Sequence, residues 1–360
     1  MLSPEKLAEE LRFLISRSPI SPGLPIEVEL IANPVAGGFT RSRYAKRRAA
    51  ELAALKALAG ALPEREGASG VRLHLTNRAG HAADIAREVF ASNEASGLSP
   101  ALRVLVTAGG DGTALEVVSA LMDLPEPERE RWLVLRLPLG TGNDGSEGRD
   151  LSAALGRLLG TCVAEPRAAL LISPDPAGGK SPRWAFNIAS LGADAFIAHM
   201  TNRLKTSFPG DSYKTMVDLA AVIYDVLWPS KPATIRSWHE GSGERLIEGD
   251  CLLLAMGASG HRTYGSNKKI LPGPDNVCFI PRMSLLGKLA IKGPISAGEH
   301  VKFREVRLFS AERLVVEYPG PLLFQADGEV TRMEPADFPL EIRLVEGAYR
   351  VLGPAGPLSL

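Results

Sequence analysis

Four short apolar runs punctuate the first 165 or so residues: Ile26 to Ala32, Val71 to Thr76, Arg103 to Ala108 and Trp132 to Leu137. Stretches rich in Ala, Leu and Arg separate them. The runs predict buried strands and the amphipathic stretches predict helices. Alternation of this kind implies a mostly parallel sheet covered by helices on both faces, which binds ligands beyond the carboxyl ends of its strands. From Arg167 onward the pattern becomes β-rich, with strands expected at Ala168 to Ser173, Trp184 to Leu191, Ala233 to Trp238, Asp250 to Met256, Val277 to Pro281 and Val301 to Tyr318. A second, β-sandwich-like domain follows from that pattern. Asp194 to Lys205 and Tyr213 to Leu227 predict helices that cover a sheet or wall an apolar pocket, and Ser173 to Pro182 predicts a hairpin loop. The expected division is an α/β domain over residues 1–165, a β-sandwich domain over 166–335, and a carboxyl-terminal segment, 336–360, packing back on the first.

Composition narrows the field of partners. The chain has 360 residues, 45% of them apolar, more than a single core usually organises. Lys plus Arg and Asp plus Glu both number 41, so the net charge points away from nucleic acid. The one dense basic run, Arg41, Arg43, Lys46, Arg47 and Arg48, falls in a helical stretch and reads first as a solvated face, second as an anionic-lipid patch. Cys162, Cys251 and Cys278 form no CxxC pair, which argues against a disulfide framework or zinc site and for a reducing compartment. The charged opening segment is unlike a signal peptide, and no apolar run is long enough to span a bilayer, so a cytoplasmic location is expected.

The chemistry concentrates in three turns. Gly109-Gly110-Asp111-Gly112-Thr113 follows the strand Val104-Leu105-Val106 and precedes a helical pattern from Ala114 to Leu121. Glycines let backbone approach a phosphate, and helix N-terminal amides favour its charge. Asp111 is placed to act through Mg²⁺ or to hold the loop, and Thr113 to donate a hydroxyl hydrogen bond. Asn33-Pro34-Val35-Ala36-Gly37-Gly38 closes the first strand, and Pro138-Leu139-Gly140-Thr141-Gly142-Asn143-Asp144 closes the fourth. Each of these is also good turn chemistry; their order at successive strand ends carries the signal.

Together the three turns resemble the nucleotide-binding signature of the diacylglycerol kinase catalytic-domain family, which includes sphingosine, ceramide and bacterial lipid kinases. The similarity continues through Phe186-Asn187-Ile188-Ala189-Ser190-Leu191-Gly192-Ala193-Asp194, Gly265 to Asp275, and Asp327-Gly328-Glu329. The resemblance implies an amino-terminal Rossmann-like domain of the phosphofructokinase and NAD kinase type, a carboxyl-terminal β-sandwich, and ATP in the cleft between them. It further implies that Gly109, Gly110, Asp111, Gly112 and Thr113 cradle ATP phosphates, that Thr141 and Asn143 line the nucleotide site, that Asn33 braces its first loop, and that Thr76 contacts nucleotide. Asp275 matches a structural Mg²⁺ ligand and Glu329 the family's proton acceptor. The expected substrate is a lipid alcohol reached by peripheral membrane contact, and bacterial relatives supply the analogy of a homodimer. Ala36, Ala326, Asn276 and Tyr264-Gly265-Ser266 depart from the family pattern.

Chemistry supports Glu329 separately, because phosphoryl transfer needs a group to accept the proton of the attacking hydroxyl. Asp327 and Glu329 stand two apart, so an extended strand would aim both carboxylates to one side. One would then take the proton while the other held Mg²⁺ or tuned its neighbour. Rival readings are an NAD kinase-like enzyme, which shares the Gly-Gly-Asp-Gly-Thr turn, and an inactive nucleotide or lipid binder. A dinucleotide-binding oxidoreductase is a further rival, on Gly140-Thr141-Gly142-Asn143-Asp144-Gly145 with Glu165 about twenty residues on. No histidine shows ligand spacing, and no GxSxG elbow supports a hydrolase.

Overall fold

A computed structural model describes residues 2–65, 69–95, 100–140, 143, 145–148, 150–160, 164–204, 224–264 and 268–353. The chain forms two compact units, one of Met1–Arg167 with Gly347–Leu360 and the other of Ala168–Glu346.

The first unit runs α1 (Pro4–Ile15), β1 (Ile26–Ala32), α2 (Gly37–Thr40), α3 (Ala45–Gly60), β2 (Gly70–Leu75), α4 (His81–Ala95), β3 (Leu102–Gly109), α5 (Asp111–Met122), α6 (Glu126–Arg129), β4 (Trp132–Pro138), α7 (Leu151–Gly156) and the start of β5 (Ala164–Ser173). β1 pairs in parallel with β2 on one side and β3 on the other, β4 continues beyond β3, and Arg350 and Val351 of the last strand, β17 (Leu340–Leu352), pair in parallel with Leu133 and Val134. Ser3 caps α1, its hydroxyl accepting from the Lys6 amide at 3.2 Å. Leu7, Leu11 and Leu14 of α1 join Leu52 and Leu55 of α3 and Leu155 of α7 on the sheet face of Val28, Leu30, Val104, Val106 and Leu135. Ile31, Leu105 and Val134, of opposite parity, are also buried, as parallel strands covered on both faces require. Because β1 leads to β2 on one side and to β3 on the other, the chain reverses direction across the sheet between β1 and β3, where such folds place their ligands.

The second unit is antiparallel. It contains β5, β6 (Arg183–Ala185), β7 (Ile188–Gly192), α8 (Ala193–Leu204), α9 (Tyr224–Leu227), β8 (Pro232–His239), β9 (Gly243–Gly257), β10 (Arg262–Tyr264), β11 (Lys268–Leu271), β12 (Val277–Pro281), α10 (Leu285–Ala297), β13 (Arg307–Phe309), β14 (Arg313–Glu317), β15 (Leu322–Ala326), β16 (Glu329–Met333) and most of β17. The first half of β9 pairs with β8, and the second half with β7 and β12, so one long strand serves two sheets. Ala189, Leu191, Ile235, Leu254, Met256, Phe279, Leu314, Phe324 and Ile342 fill the core of the sandwich. Ile188, Leu252, Cys278, Ile280 and Leu323, on the outer face of the β7–β9–β12–β15 sheet, pack with Phe196, Tyr224 and Ile291 from the three helices. Cys251 and Cys278 are packing residues: burial pushes both thiols up to about 12. Cys162 lies outside the described residues. No helix among the described residues is long and apolar enough to cross a membrane.

Two sequence expectations need correction, and one helix has no counterpart among them. Val301 to Tyr318 is not one strand: a 3-10 turn covers His300–Lys302, and β13 and β14 are separated by a turn whose Ala311 amide donates to Asn276 Oδ1 at 2.9 Å. Trp184 to Leu191 divides into β6 and β7, because the amides of Phe186, Asn187 and Ile188 turn to a side chain rather than to a neighbouring strand. α10 went unread, since Gly287, Gly293 and Pro294 lower helix propensity; Ser284 caps it by accepting from the Gly287 amide at 3.2 Å. Most of the predicted helix Tyr213 to Leu227 lies outside the described residues.

Candidate active site

In the first unit the site is built by three strand ends meeting. The Asn33 amide donates to Ala108 O at 2.9 Å, which ties the loop after β1 to the end of β3, and Asn33 Oδ1 accepts from the Val35 amide at 3.1 Å. The Gly38 amide donates to Leu139 O at 2.8 Å, joining the same loop to the end of β4. A Cβ on Gly38 would stand 2.6 Å from Leu139 Cβ, so glycine is needed for this approach. Arg48 of α3 donates to Gly38 O, which gives one residue of the basic run a loop-holding role.

The central turn is similarly tight. A Cβ on Gly140 would lie 2.5 Å from Gly110 Cα, and one on Gly109 would lie 2.5 Å from Thr113 Oγ1. Gly110 itself, extended at φ −93°, would place a Cβ 3.6 Å from Gly140 Cα, an ordinary contact. Gly110 is the N-cap of α5 and offers no side-chain cap, so the first amides of that helix lack a capping acceptor from it. Asp111 Oδ2 accepts from the Asn143 amide at 2.9 Å, and Asn143 Oδ1 accepts from the Gly140 amide at 2.7 Å. Asn143 adopts φ 61°, a left-handed conformation that Asn tolerates better than most side chains. Thr113 is buried, as is Thr76, whose amide donates to Ala32 O at 2.9 Å. Thr141 lies outside the described residues.

Two acids that hold this region are invisible to motif reading. Glu116 of α5 accepts from the Gly80 amide at 2.9 Å and the Ala82 amide at 3.1 Å, fastening the loop after Thr76 and the start of α4 to the helix that begins at Asp111. Buried Glu147 binds the Arg136 guanidinium at 2.6 and 2.8 Å and also accepts from the Arg136 amide, pinning the segment after Asn143 to β4. No sequence spacing announces that pair.

In the second unit the expectation that Asp327 and Glu329 share one strand face is overturned. Asp327 and Gly328, at φ 48° and 90°, are the two-residue turn of the β15–β16 hairpin, and Ala326 pairs with Glu329. Asp-Gly is the favoured chemistry for such a turn. The Asp327 carboxylate accepts from the amides of Phe186 at 2.5 Å, Asn187 at 3.0 Å and Ile188 at 2.8 Å, and the Asp327 amide donates to Ile188 O at 3.0 Å. It anchors a loop. Glu329 opens β16 and is exposed. Beneath the hairpin, Gln325 accepts from the Gly328 amide at 2.8 Å and donates to Ser190, whose hydroxyl donates to Asp194 at 2.5 Å.

Asp275 precedes β12 and accepts from the Ser310 hydroxyl at 2.9 Å. Among the described residues no three His, Cys, Asp or Glu side chains come together as a metal-binding group. One carboxylate beside a hydroxyl is an oxygen-only, sparse donor set, which suits a Mg²⁺ that keeps most of its waters and does not suit zinc.

Residues 27–159 match the model of the diacylglycerol kinase catalytic domain. The chain is 25% identical over 280 residues to "Putative lipid kinase YtlR" of Bacillus subtilis (strain 168), covering 73% of this chain and 84% of that one. It is 34% identical over 122 residues to "Probable lipid kinase YegS-like" of Yersinia enterocolitica, covering 34% and 38% respectively. The fold is similar to a crystal structure titled as a putative diacylglycerol kinase from Bacillus anthracis str. Sterne, with a TM-score of 0.57 at 17% identity over 93% of this chain and 98% of that one. The resemblance read from the motifs therefore holds, and so does the pairing of a parallel α/β region with a strand-rich β region.

Proposed function

From the chain's place in the diacylglycerol kinase catalytic-domain family, we propose that it transfers the γ-phosphoryl group of ATP to the hydroxyl of a lipid alcohol. The observation that carries this reading is the α5 start. Gly110 leaves it without a side-chain cap, two neighbouring loops are drawn in around it, and Gly110 alone of the close-packed glycines Gly38, Gly109, Gly110 and Gly140 has room for a Cβ. Absence of a side chain there is not demanded by the fold, and it suits an anion lying against the helix amides.

In this reading Gly109 to Thr113 receive the phosphates, Asn33, Thr76, Thr141 and Asn143 shape the nucleotide site, and Asp111 holds the loops through Asn143. Mg²⁺ when bound neutralises charge on the phosphates, and Asp275 is the proposed ligand for a separate structural ion. Glu329 accepts the proton of the attacking lipid hydroxyl, and its exposure leaves the carboxylate accessible to an acceptor. Asp327 does not share that role, because its oxygens are engaged by three amides.

ATP consumption measured across detergent-dispersed lipid alcohols, with NAD and water as controls, tests the proposal. Glu329→Gln should lower lipid-dependent turnover by at least ~100-fold with ATP affinity nearly intact. Turnover with NAD alone would instead support an NAD kinase-like activity, and ATP binding without turnover an inactive binder.

A further inference from the structure

A polar cluster sits in the apolar layer on the outer face of the β7–β9–β12–β15 sheet. Ser190 of β7 and Asp194, in the first turn of α8, are each 1% exposed, and Gln325 of β15 is 2% exposed. Ile188 and Leu323, two residues back along the same strands and on the same face, belong to the apolar layer. Register accounts for the meeting: Gln325 pairs with Ser190 across β15 and β7, and Asp194 follows Ser190 by four residues where strand gives way to helix. The hydrogen bonds run one way. The Gly328 amide donates to Gln325 Oε1 at 2.8 Å, Gln325 Nε2 donates to Ser190 Oγ at 2.8 Å and to Asp194 Oδ2 at 3.3 Å, and Ser190 Oγ donates to Asp194 Oδ2 at 2.5 Å. Every donor points toward the carboxylate, so its charge strengthens each bond of the chain. The Gln325 amide has one usable orientation, because reversing it would set its oxygen against those of Ser190 and Asp194 and its NH₂ against the Gly328 amide.

The far end of this chain is the hairpin turn. Asp327 and Gly328 immediately precede Glu329, and each is gripped separately: Asp327 through its carboxylate by the amides of Phe186, Asn187 and Ile188, and Gly328 through its amide by Gln325. No hydrogen bond or ion pair holds the Glu329 carboxylate among the described residues, so the point from which it extends is set by the backbone before it. A stable hairpin does not demand the second grip. Asp-Gly already forms the turn, and Ala326 already pairs with Glu329. An apolar residue at 325 would continue the layer of Leu323 and leave no carboxylate to bury, an exchange that is often neutral or stabilising. A buried charge kept in order to hold the turn that leads into Glu329 serves position rather than stability.

We propose that Gln325, oriented by Ser190 and Asp194, is a positioning residue for Glu329: it fixes the turn from which that carboxylate reaches the acceptor hydroxyl. The inference deepens the lipid-kinase reading and rests on it for the reaction, but the grip on the turn is measurable without turnover. Steady-state kinetics of the full chain on detergent-dispersed diacylglycerol, phosphatidylglycerol and sphingosine, with hydrogen exchange at the Gly328 amide, test it. Gln325→Leu should lower kcat at least ~tenfold, leave the KM for ATP within about twofold, and speed Gly328 exchange by about tenfold. Leu323→Ala, a cavity in the same layer two residues away, should lower the urea midpoint and leave kcat within about twofold. Gln325→Glu keeps an acceptor for the turn but sets a second carboxylate against Asp194 and regains a donor only when protonated. Its kcat relative to wild type should therefore rise several-fold between about pH 8 and about pH 6, a readout that stands even where Gln325→Leu fails to fold. A Gln325→Leu kcat near wild type, a loss confined to the KM for ATP, an equal loss in Leu323→Ala, or a flat Gln325→Glu ratio would each overturn the proposal. Absence of wild-type turnover on every acceptor would sink the kinase reading and the positioning role with it. Faster Gly328 exchange in Gln325→Leu would still establish the grip in that case, and unchanged exchange would refute it.

Discussion

Gly110 and Gly140 face one another where the ends of β3 and β4 meet, yet physics gives them different reasons to be glycine. A methyl on Gly140 would overlap Gly110 Cα, whereas one on Gly110 would reach only ordinary contact. Gly140→Ala should therefore destabilise the first unit by about 1–3 kcal/mol in urea unfolding. Gly110→Ala should leave stability within ~0.5 kcal/mol and weaken ATP binding by on the order of tenfold, read by calorimetry. Equal ATP affinity in that variant would remove the phosphates from the α5 start. Asp327 makes the same contrast with Glu329. Asp327→Ala strands three amides and should cost about 3 kcal/mol of stability, while Glu329→Gln, at an exposed strand end, should cost little and act on turnover. A motif that ends in two acids one residue apart thus divides into an anchor and an accessible carboxylate, and only the turn conformation tells which is which.

Among the elements, α5 does more than begin at a glycine-rich turn. Its Glu116 accepts from the amides of Gly80 and Ala82 at the start of α4, where negative charge is favourable to a helix N-terminus, so two helices and the loop carrying Thr76 are tied together. Glu116→Ala should lower thermal stability by about 1 kcal/mol and raise the KM for ATP, whereas Glu116→Gln, keeping one acceptor, should recover part of both. An unchanged KM in Glu116→Ala would show that the Thr76 loop is held without it. In the second unit the β15–β16 hairpin is the corresponding element. Its Asp-Gly turn replaces the extended strand expected from the spacing of the two acids, and its attachment to Phe186–Ile188 has no local signal, because the partners lie about 140 residues away in the chain.

At the scale of the whole molecule, buried titrating groups, His300 and Glu29 among them, set the acid limit. His300, wholly buried at the end of α10 with Nε2 3.0 Å from Ile270 O, is held below its ordinary 6.5, chiefly by burial. Burial pushes Glu29 up, but hydrogen bonds from His74 and Arg72 outweigh it and leave its carboxyl below 4.5. In both cases the unfolded chain takes up a proton before the folded one does as pH falls. Stability is therefore fully present above about pH 6.5, falls from there through His300, and falls again below about 4.5 through Glu29. Urea midpoints measured from pH 7.5 to 4 should decline monotonically, and a His300→Gln variant should flatten the upper part of that decline. A rise in stability on acidification would contradict the burial of these groups. What the sequence determined by itself was local: the parallel strands and their order of turns, the strand-rich second half, and the glycine-rich turn between the third strand and the helix after it, all carried by periodicity and by neighbours within a few residues. Tertiary structure alone decided that Asp327 anchors a loop, that Glu116 and Glu147 brace the site, and that α10 forms despite its glycines and proline and turns leucines outward. Each of those rests on contacts between residues far apart in the chain, for which local pattern holds no record.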